Sequence, residues 1–338
     1  MTDLELSIII PTYNRLPSLR RVLAALEVQS FPMERVEVIV VSDGATDGTN
    51  PFLEAYEPPY LLHPVFQPNQ GVAVARNTGL EHARAEWVLF LDDDVCPAPE
   101  LVAEHVAWLR KHDRVVVLGP MLTPADVRLL PWVMWEQTML VKQYDSMLQG
   151  KWKPTARQFY TGNTSLEKRY TLLAGGFDPS FFRAEDVELA YRLKDLGVNL
   201  VFNPEAVGYH YAERSFESWL DIAYTYGKND VCITHEKNQA WLLPQIRKEY
   251  YERNVFIRGL TRLCLDRDGL QWACIRGLKT VALAADRLNL HRLARYCFSG
   301  IYNLRYYQGI ADTLGSGAAF RAYLADPRLA SPRKGNPV

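Results

Sequence analysis

The stretch Trp87-Val88-Leu89-Phe90-Leu91-Asp92-Asp93-Asp94 joins a continuous apolar run to three consecutive carboxylates. A continuous run of this length is typical of a strand covered on both faces, so the three acids leave the strand together at its C-terminal end. Adjacent carboxylates repel one another unless a cation, a hydrogen-bond network or water compensates them, and hard oxygen ligands favour Mg²⁺ or Mn²⁺. The stretch predicts a metal site, with a solvated acidic loop as the alternative.

Strands and helices are predicted to alternate through the first part of the chain. Apolar runs predict strands over residues 6–10, 36–41, 61–66, 87–91 and 115–118. Apolar spacing of i, i+3, i+4 predicts helices over residues 17–28, 49–56, 72–83 and 100–112. Repeated βαβ units predict an α/β fold, a Rossmann-like, mainly parallel sheet flanked by helices, which binds ligands at the carboxyl ends of its strands.

Three polar clusters directly follow predicted strands, so we expect them to share one edge of the sheet. They are Pro11-Thr12-Tyr13-Asn14-Arg15, Ser42-Asp43-Gly44 and Asp92-Asp93-Asp94. Neither a dinucleotide-binding G-x-G-x-x-G nor a P-loop accompanies them. If the site binds a nucleotide, it must therefore do so through other residues.

The second cluster partly mimics a calcium loop, because Asp43 and Asp47 have suitable spacing. Ala45 removes a ligand, however, and a strand rather than a helix leads into the segment. A turn followed by a capped helix is the favoured interpretation.

Composition indicates a globular protein of 338 residues, with 48% hydrophobic and 23% charged residues. This length suits two domains, or one α/β domain with an appendage. Five scattered cysteines without a C-x-x-C pair argue against a disulfide framework or a zinc site. The acidic start of the chain does not resemble a signal peptide, and no apolar run reaches the roughly 18 residues that span a bilayer. We expect a soluble or peripheral protein of a reducing cytoplasm.

Charge is distributed unevenly along the chain. Residues 241–338 contain 16 Lys and Arg against 7 Asp and Glu, or +9, which leaves −10 for residues 1–240. A basic C-terminal region can face nucleic acid, anionic lipid or a phosphate-bearing substrate, and charge alone does not choose among them.

Five ordered blocks resemble family 2 glycosyltransferases with the GT-A fold. They begin with Ser7-Ile8-Ile9-Ile10-Pro11-Thr12-Tyr13-Asn14-Arg15, Val40-Val41-Ser42-Asp43-Gly44-Ala45-Thr46-Asp47-Gly48-Thr49 and Asn69-Gln70-Gly71-Val72-Ala73-Val74-Ala75-Arg76-Asn77-Thr78-Gly79. Leu89-Phe90-Leu91-Asp92-Asp93-Asp94 resembles the D-x-D element, and Gly175-Gly176-Phe177-Asp178 leads to Glu185-Asp186-Val187-Glu188-Leu189, which resembles the acceptor-side catalytic block. The resemblance implies a metal-dependent enzyme that transfers a sugar, with inversion, from a nucleotide diphosphate sugar to an acceptor hydroxyl.

The resemblance also implies a nucleotide-sugar site, with a uridine diphosphate sugar as the expected donor. Asp43 would accept a hydrogen bond from a pyrimidine ring N–H. The residues implied to surround the rest of the nucleotide sugar are Pro11, Thr12, Tyr13, Arg15, Arg76, Asp92 and Asp93. A surface or helix-capping side chain is the alternative for either arginine.

Within the acidic triplet, Asp92 is expected to face the ribose and Asp94 the metal, with Asp93 supporting them. A one-residue shift of the strand exit would exchange these roles. His210 follows a strand-like segment, and the resemblance implies that a histidine at this place completes the shell of a Mn²⁺ or Mg²⁺ ion; a structural histidine is the alternative.

An inverting transfer needs a group that takes the proton of the acceptor hydroxyl, and the resemblance implies that Asp186, the second acid of its pair, is this catalytic base. Glu185 is a candidate contact of the acceptor. Both acids could instead cap a helix, where the helix dipole favours them. The segment 161–165, with Gly162 and Asn163, resembles the loop beneath the donor sugar and the acceptor, and a plain hairpin turn is the alternative.

We predict a catalytic domain over residues 1–212, a helical extension over 213–325 and a flexible tail over 326–338. Aromatic and basic residues in the extension fit a bundle core, which is favoured, or a peripheral contact with the inner face of the membrane. The expected partners are a nucleotide sugar and a hydroxyl acceptor on a glycan, a lipid-linked glycan or a small molecule, without nucleic acid. A homo-oligomer stays open.

Two other functions are weighed against the glycosyltransferase. A sugar nucleotidyltransferase would be expected to carry a glycine-rich, basic phosphate loop after its first strand, where this chain has Pro11-Thr12-Tyr13-Asn14-Arg15. A non-catalytic sugar-binding scaffold would be expected to have lost acids, but Asp43, the triplet and Asp186 are all present.

Overall fold

The computed structural model describes residues 4–181, 183–236 and 242–326. The chain folds into two compact units, Met1–Arg128 with Gln137–Ala212 and Leu129–Glu136 with Glu213–Val338. The assignment of residues 1–212, 213–325 and 326–338 to three regions stays a prediction. Residues 327–338 of the predicted tail lie outside the described residues.

The strands of the described residues all belong to the first unit. They are β1 (Leu6–Thr12), β2 (Val36–Asp43), β3 (Leu61–Gln67), β4 (Trp87–Leu91), β5 (Val95–Pro97), β6 (Val115–Leu118), β7 (Met121–Leu122), β8 (Asn163–Glu167), β9 (Asn199–Phe202) and β10 (Gly208–His210).

Helices accompany the strands, and the regular elements described after β10 are all helices. They are α1 (Leu16–Leu26), α2 (Thr49–Ala55), α3 (Val72–His82), α4 (Leu101–Lys111), α5 (Pro131–Leu148), α6 (Lys168–Leu173), α7 (Glu185–Asp195), α8 (Phe216–Glu236), α9 (Leu242–Glu252), α10 (Val255–Cys264), α11 (Asp268–Arg287), α12 (His291–Thr313) and α13 (Gly317–Ala325). Two 3-10 turns lie at Met33–Arg35 and Ala156–Gln158.

The main sheet has the strand order β3-β2-β1-β4-β8-β6-β9 within the described part of the chain. Its pairs are parallel except for β8, which runs antiparallel to both β4 and β6. The predicted α/β fold with a mainly parallel sheet is therefore confirmed. The five predicted strands and four predicted helices agree with the structure to within about two residues at each end.

Burial on both faces explains the continuous apolar runs of the central strands. Every residue of β1 and β2 is buried, whereas the edge strand β3 is partly exposed. The core on one side of the sheet joins strand side chains such as Ile8 and Val38 to Leu19 and Val22 of α1 and to Val106 of α4. This packing holds the ends of β1, β2 and β4 close together.

A second, three-stranded sheet has the order β5-β10-β7. Strand β10 pairs antiparallel with β5, so that His210 lies opposite Val95. Because Val95 directly follows the acidic triplet, this pairing carries His210 to the end of β4.

The second unit is helical in its described residues. Its core surrounds the fully buried Trp219 and includes Trp135, Phe216 and Phe298. Helices α8 and α12 approach closely at Gly227 and Gly309: a Cβ on Gly227 would lie 1.9 Å from the carbonyl oxygen of Tyr306. Among the described residues, no helix is both long and apolar enough to cross a membrane.

The segment 161–165, predicted as a loop or hairpin turn, is in fact the entry into β8. The side chain of Asn163 is fully buried, and its Nδ2 donates to the carbonyls of Ala206 (2.8 Å) and Pro120 (3.1 Å). Its Oδ1 lies 2.8 Å from Nε2 of His105, whose Nδ1 lies 2.8 Å from Oγ of Ser165. Burial lowers the pKa of His105 to about 4, so the imidazole is neutral near pH 7 and Nε2–H donates to Asn163.

We expect Asn163→Ala to lower the free energy of unfolding by about 2–4 kcal/mol, because it leaves buried polar groups without partners. Chemical denaturation measures this change. The matched control is Asn199→Ala at the exposed start of β9, which should change stability by less than about 0.5 kcal/mol. Equal effects of the two substitutions would contradict the structural role of Asn163.

Candidate active site

The three polar clusters lie at the carboxyl ends of adjacent strands. Strand β1 lies between β2 and β4, with Ile9 opposite both Ile39 and Phe90. Thr12 ends β1, Asp43 ends β2, and Asp92 follows β4 directly. The sequence expectation of a shared edge therefore agrees with the strand order.

Asp43 is buried at this edge and organises the loop that leads to α3. Its Oδ1 accepts from Gln67 Nε2 (2.7 Å) and from the backbone N–H of Gln70 (2.8 Å). Its Oδ2 accepts from the backbone N–H of Gly71 (2.8 Å). A carboxylate has about four acceptor positions, so Asp43 keeps capacity for one further donor such as a base N–H.

The segment after Asp43 is a turn that leads into a capped helix. This agrees with the interpretation that the sequence favoured over a calcium loop. Asp47 Oδ2 accepts from the backbone N–H of Leu16 (2.8 Å), and its Oδ1 accepts from the hydroxyl of Thr49 (2.6 Å). Asp47 thus connects the start of α1 to the start of α2.

Asp93 is the buried member of the acidic triplet. Its carboxylate accepts from Thr12 Oγ1 (2.7 Å) and from Arg15 Nη1 (3.2 Å). Burial raises the pKa of Asp93 to about 7, with the charges of Asp94 and Asp92 adding to the effect against the opposing charge of Arg15. Asp93 therefore ties β1 to the triplet.

Asp94 lies between two cationic or potentially cationic side chains. Arg15 Nη1 donates to its Oδ2 (2.6 Å), and His210 Nε2 lies 3.6 Å from its Oδ1. Burial favours a higher pKa for Asp94, but the neighbouring His210 and the charge and hydrogen bond of Arg15 outweigh it and lower the pKa to about 2. Asp94 is therefore ionised throughout the physiological range.

Asp94 and His210 are the residues that suit a divalent cation. In the described ranges, no group of three or more His, Cys, Asp or Glu is arranged to hold a metal ion unaided. Carboxylate oxygen and imidazole nitrogen both suit Mn²⁺, and sites of this class obtain further ligands from substrate phosphates. The pair therefore fits a cation shared with a diphosphate.

Arg76 joins the triplet to the acceptor-side block. It is buried, with only 4% of its surface exposed. Its Nη2 donates to Asp92 Oδ1 (2.9 Å), and its Nη1 donates to Glu185 Oε1 (2.5 Å). The resemblance assigned Arg76 to the nucleotide. Its guanidinium instead pairs with two carboxylates that are 93 positions apart in the chain.

Asp186 is the second residue of α7 and directly follows Glu185 of this ion-paired group. Its Oδ1 accepts from the backbone N–H of Val187 (2.7 Å). Burial raises the pKa of Asp186 to about 7, and the neighbouring Glu185 adds to this effect while Arg76 opposes it. A carboxyl group with a pKa near 7 can exchange a proton at physiological pH.

The backbone that leads into α7 is strained. Ala184, directly before Glu185, has a φ of +60°, a conformation that alanine rarely adopts. Arg192 holds the following turns by ion pairing with Glu188 and by donating to the carbonyl of Ala174. Strained backbone conformations of this kind cluster at functional sites, where they fix the orientation of the neighbouring side chains.

Gly162 lies against the triplet. A Cβ on this residue would come 2.8 Å from Oδ2 of Asp92, and its carbonyl accepts from the backbone N–H of Asp92 (3.2 Å). The side-chain amide of Asn163, in contrast, donates to backbone carbonyls inside the fold and is not directed at a ligand. Tyr13 is exposed at the same sheet edge, whereas Pro11 is buried within β1.

Asn77 is a positioning residue to which the sequence assigned no role. Its Oδ1 accepts from the backbone N–H of Phe177 (2.8 Å), and its Nδ2 donates to the carbonyl of Phe177 (2.8 Å). Gly176 has a φ of +74°, and a Cβ there would lie 2.8 Å from Asn77 Oδ1. Gly175 and Gly176 were the sequence feature that could have indicated this contact, since only a residue without a Cβ permits such a close approach.

Comparison with known proteins agrees with this arrangement. The family model of Glycosyl transferase family 2 matches residues 7–172. Validoxylamine A glucosyltransferase of Streptomyces hygroscopicus subsp. jinggangensis (strain 5008) is 32% identical over an alignment of 230 residues, and the match covers 60% of this chain and 54% of that enzyme. The chain thus spans about half the length of that relative. Glycosyltransferase AglE of Haloferax volcanii is 28% identical over 248 residues, 71% of this chain and 75% of that protein.

Solved structures with similar folds include two complexes. S. aureus TarS 1-349 in complex with UDP has a TM-score of 0.54 at 19% identity, over 92% of both chains. Mannosyltransferase PcManGT from Pyrobaculum calidifontis, in complex with GDP-Man and Mn²⁺, has a TM-score of 0.58 at 19% identity, over 90% of this chain and 87% of that chain. These likenesses show the GT-A fold. Residues 7–172 therefore form a domain of glycosyl transferase family 2.

Proposed function

We propose that the protein is an inverting glycosyltransferase that moves a sugar from a nucleotide diphosphate sugar to an acceptor hydroxyl. The observation that carries this proposal is the bridge from Asp92 through Arg76 to Glu185, which joins a donor-side carboxylate to the block that contains Asp186. The names of the relatives support transfer of a sugar, and the bound UDP and GDP-Man of the structural neighbours support a nucleotide-sugar donor.

The donor would lie across the carboxyl ends of β1, β2 and β4. Asp43, with capacity for one more hydrogen bond, would accept the ring N–H of the base, for which a uridine diphosphate sugar is the proposed donor. Exposed Tyr13 offers an aromatic surface beside it, and Asp92 would meet the ribose. Arg15, whose Nη1 lies 2.6 Å from Asp94 Oδ2, would contact the phosphates.

Asp94 and His210 would hold a divalent cation, Mn²⁺ or Mg²⁺, whose charge stabilises the diphosphate leaving group when it is bound. Thr12 and Arg15 would keep Asp93 in place beside these ligands. The negative charges at the end of β4 would otherwise repel the donor, which is a physical reason for such a cation.

Asp186 would act as the general base. It would take the proton from the acceptor hydroxyl as the acceptor oxygen forms its bond to the anomeric carbon, while the bond to the diphosphate breaks on the opposite face. With a pKa of about 7, Asp186 acts as a base in its deprotonated form, so the rate should decline below that pH. Glu185, held by Arg76, would contact the acceptor or align Asp186.

We expect a donor nucleotide sugar with Mn²⁺ to raise the melting temperature of the full chain, because a ligand of the native state stabilises it. A thermal-shift screen of UDP- and GDP-sugars, each with and without Mn²⁺, measures this effect. The variant Asp94→Asn should lose the Mn²⁺-dependent part of the shift. No shift with any nucleotide sugar would contradict the proposed donor class.

We expect Asp186→Asn to lower the transfer rate at least about 100-fold, since an amide cannot accept the proton. The Mn²⁺-dependent thermal shift with the donor should be retained. The control is Asp195→Asn at the exposed end of the same helix, which should keep the full rate. Unaltered turnover of Asp186→Asn would remove Asp186 from its role.

We expect Arg76→Lys to lower kcat about 10- to 100-fold, because one ammonium cannot reproduce the two-sided guanidinium fork between Asp92 and Glu185. The control is Arg84→Lys, which changes an arginine paired with buried Glu37 at 2.8 Å, outside the candidate site. Both variants are assayed for transfer and for thermal stability. A rate loss shared equally by the two would indicate a general effect on stability.

A further inference from the structure

The connection between α11 and α12 carries an exposed surface of mixed apolar and basic character. We call residues 287–296 the arginine–leucine tip; their sequence is Arg287-Leu288-Asn289-Leu290-His291-Arg292-Leu293-Ala294-Arg295-Tyr296. The tip contains three arginines and no aspartate or glutamate. Among its ten residues, Ala294 alone is buried. Relative to the described residues, nine of the ten side chains of the tip are therefore exposed.

The apolar side chains of the tip are unusually exposed. The exposed fractions are 68% for Leu288, 51% for Leu290, 44% for Leu293 and 62% for Tyr296. Single exposed leucines are ordinary on a protein surface, but four large apolar side chains within nine residues form a patch. Patches of this kind mark surfaces that another phase or molecule covers.

The backbone of the tip is held in one conformation. Asn289 has a φ of +57°, the backbone N–H of Leu290 donates to the carbonyl of Ala285 (2.8 Å), and that of Asn289 donates to the carbonyl of Asp286 (3.0 Å). These bonds form the Schellman arrangement that ends a helix. The exposed leucines are therefore presented by a closed turn whose polar groups are satisfied.

Helix α10 extends the apolar part of this surface. A Cβ on Gly300 would lie 3.5 Å from Cε1 of Phe256, so the Phe256 ring lies beside α12, on the face one turn beyond Tyr296. Phe256 and Val255 are 55% and 75% exposed. The adjoining face of α11 contributes no acid, because residues 269–285 contain no aspartate or glutamate.

We propose that the arginine–leucine tip docks the protein on an anionic phospholipid bilayer. The boundary of such a bilayer offers phosphates directly above hydrocarbon, which matches arginines interleaved with leucines and a tyrosine. A nucleic acid would engage the arginines but leave the leucines exposed. The absence of acids within residues 287–296 complements a negatively charged surface over the whole tip.

Vesicle co-sedimentation of the full chain tests this proposal. The protein should bind vesicles of phosphatidylcholine with phosphatidylglycerol, bind vesicles of phosphatidylcholine alone much less, and lose binding as salt is raised. These comparisons use the unaltered protein, so they do not depend on the folding of any variant. Equal binding to both vesicle types, or none to either, would overturn the proposal.

Two variants locate the contact. Arg287→Gln with Arg292→Gln and Arg295→Gln should weaken binding about 100-fold, at about fivefold for each arginine near the surface. Leu288→Glu with Leu293→Glu should abolish binding to the anionic vesicles. The matched control is Leu172→Glu with Leu173→Glu, a pair of leucines 52% and 68% exposed in the first unit, which should bind like the unaltered chain.

Transfer activity and molecular mass distinguish membrane docking from a loss of enzyme function and from contact between copies of the chain. Transfer to a soluble acceptor should be unchanged in the tip variants, so a failed docking result leaves the proposed enzymatic function untouched. Light scattering of the unaltered chain and of Leu288→Glu with Leu293→Glu should give the same mass. If the leucine variant instead dissociates an oligomer and vesicle binding is absent, the tip contacts a second copy of the chain and the membrane proposal is wrong.

Discussion

The candidate site depends on one buried guanidinium. Arg76 lies between Asp92 and Glu185, at 2.9 and 2.5 Å, where water cannot compensate its charge. Without both carboxylates the buried guanidinium would be an unpaired charge, a strongly unfavourable state, and without either one it would lose the partner on one side. The end of β4 and the start of α7 must therefore meet at α3. This constraint brings two acidic motifs that are distant in the chain to one site, where Asp92 of the triplet lies close enough to the proposed base Asp186 to interact with its charge.

Repulsion among carboxylates explains the rest of the chemistry. Asp92, Asp93 and Asp94 lie together, and Glu185 and Asp186 join them through Arg76. Arg15 and His210 keep Asp94 ionised, whereas burial and neighbouring charges raise the pKa values of Asp93 and Asp186 to about 7. The site thus separates an always charged group, suited to a cation, from a group able to exchange a proton. This is the division of labour that the proposed inverting transfer would use.

Much of the first unit was predictable because its signals are local. The central strands are buried on both faces, so their continuous apolar runs and the acids at their ends identify the sheet and its functional edge. Strand β8 was missed: Asn163-Thr164-Ser165 looks polar, yet each of these side chains is buried in a strand whose polar groups find partners within the fold. Helix α5 was missed because Met134, Met139 and Val141 are apolar but exposed, so its apolar residues do not follow the spacing of a single buried face.

The sequence by itself determined the fold class, the three strand-end clusters and the identity of the acids at the site, because strand periodicity and motif spacing are properties of neighbouring residues. Only the tertiary structure decided that Arg76 binds two carboxylates rather than standing free, that Asn163 serves the core, and that Asn77 holds the turn at Phe177. Antiparallel pairing of β10 with β5 decided that His210 reaches Asp94. Such partnerships join residues as far apart in the chain as Asp94 and His210, and burial of charge selects among them only once the chain is folded.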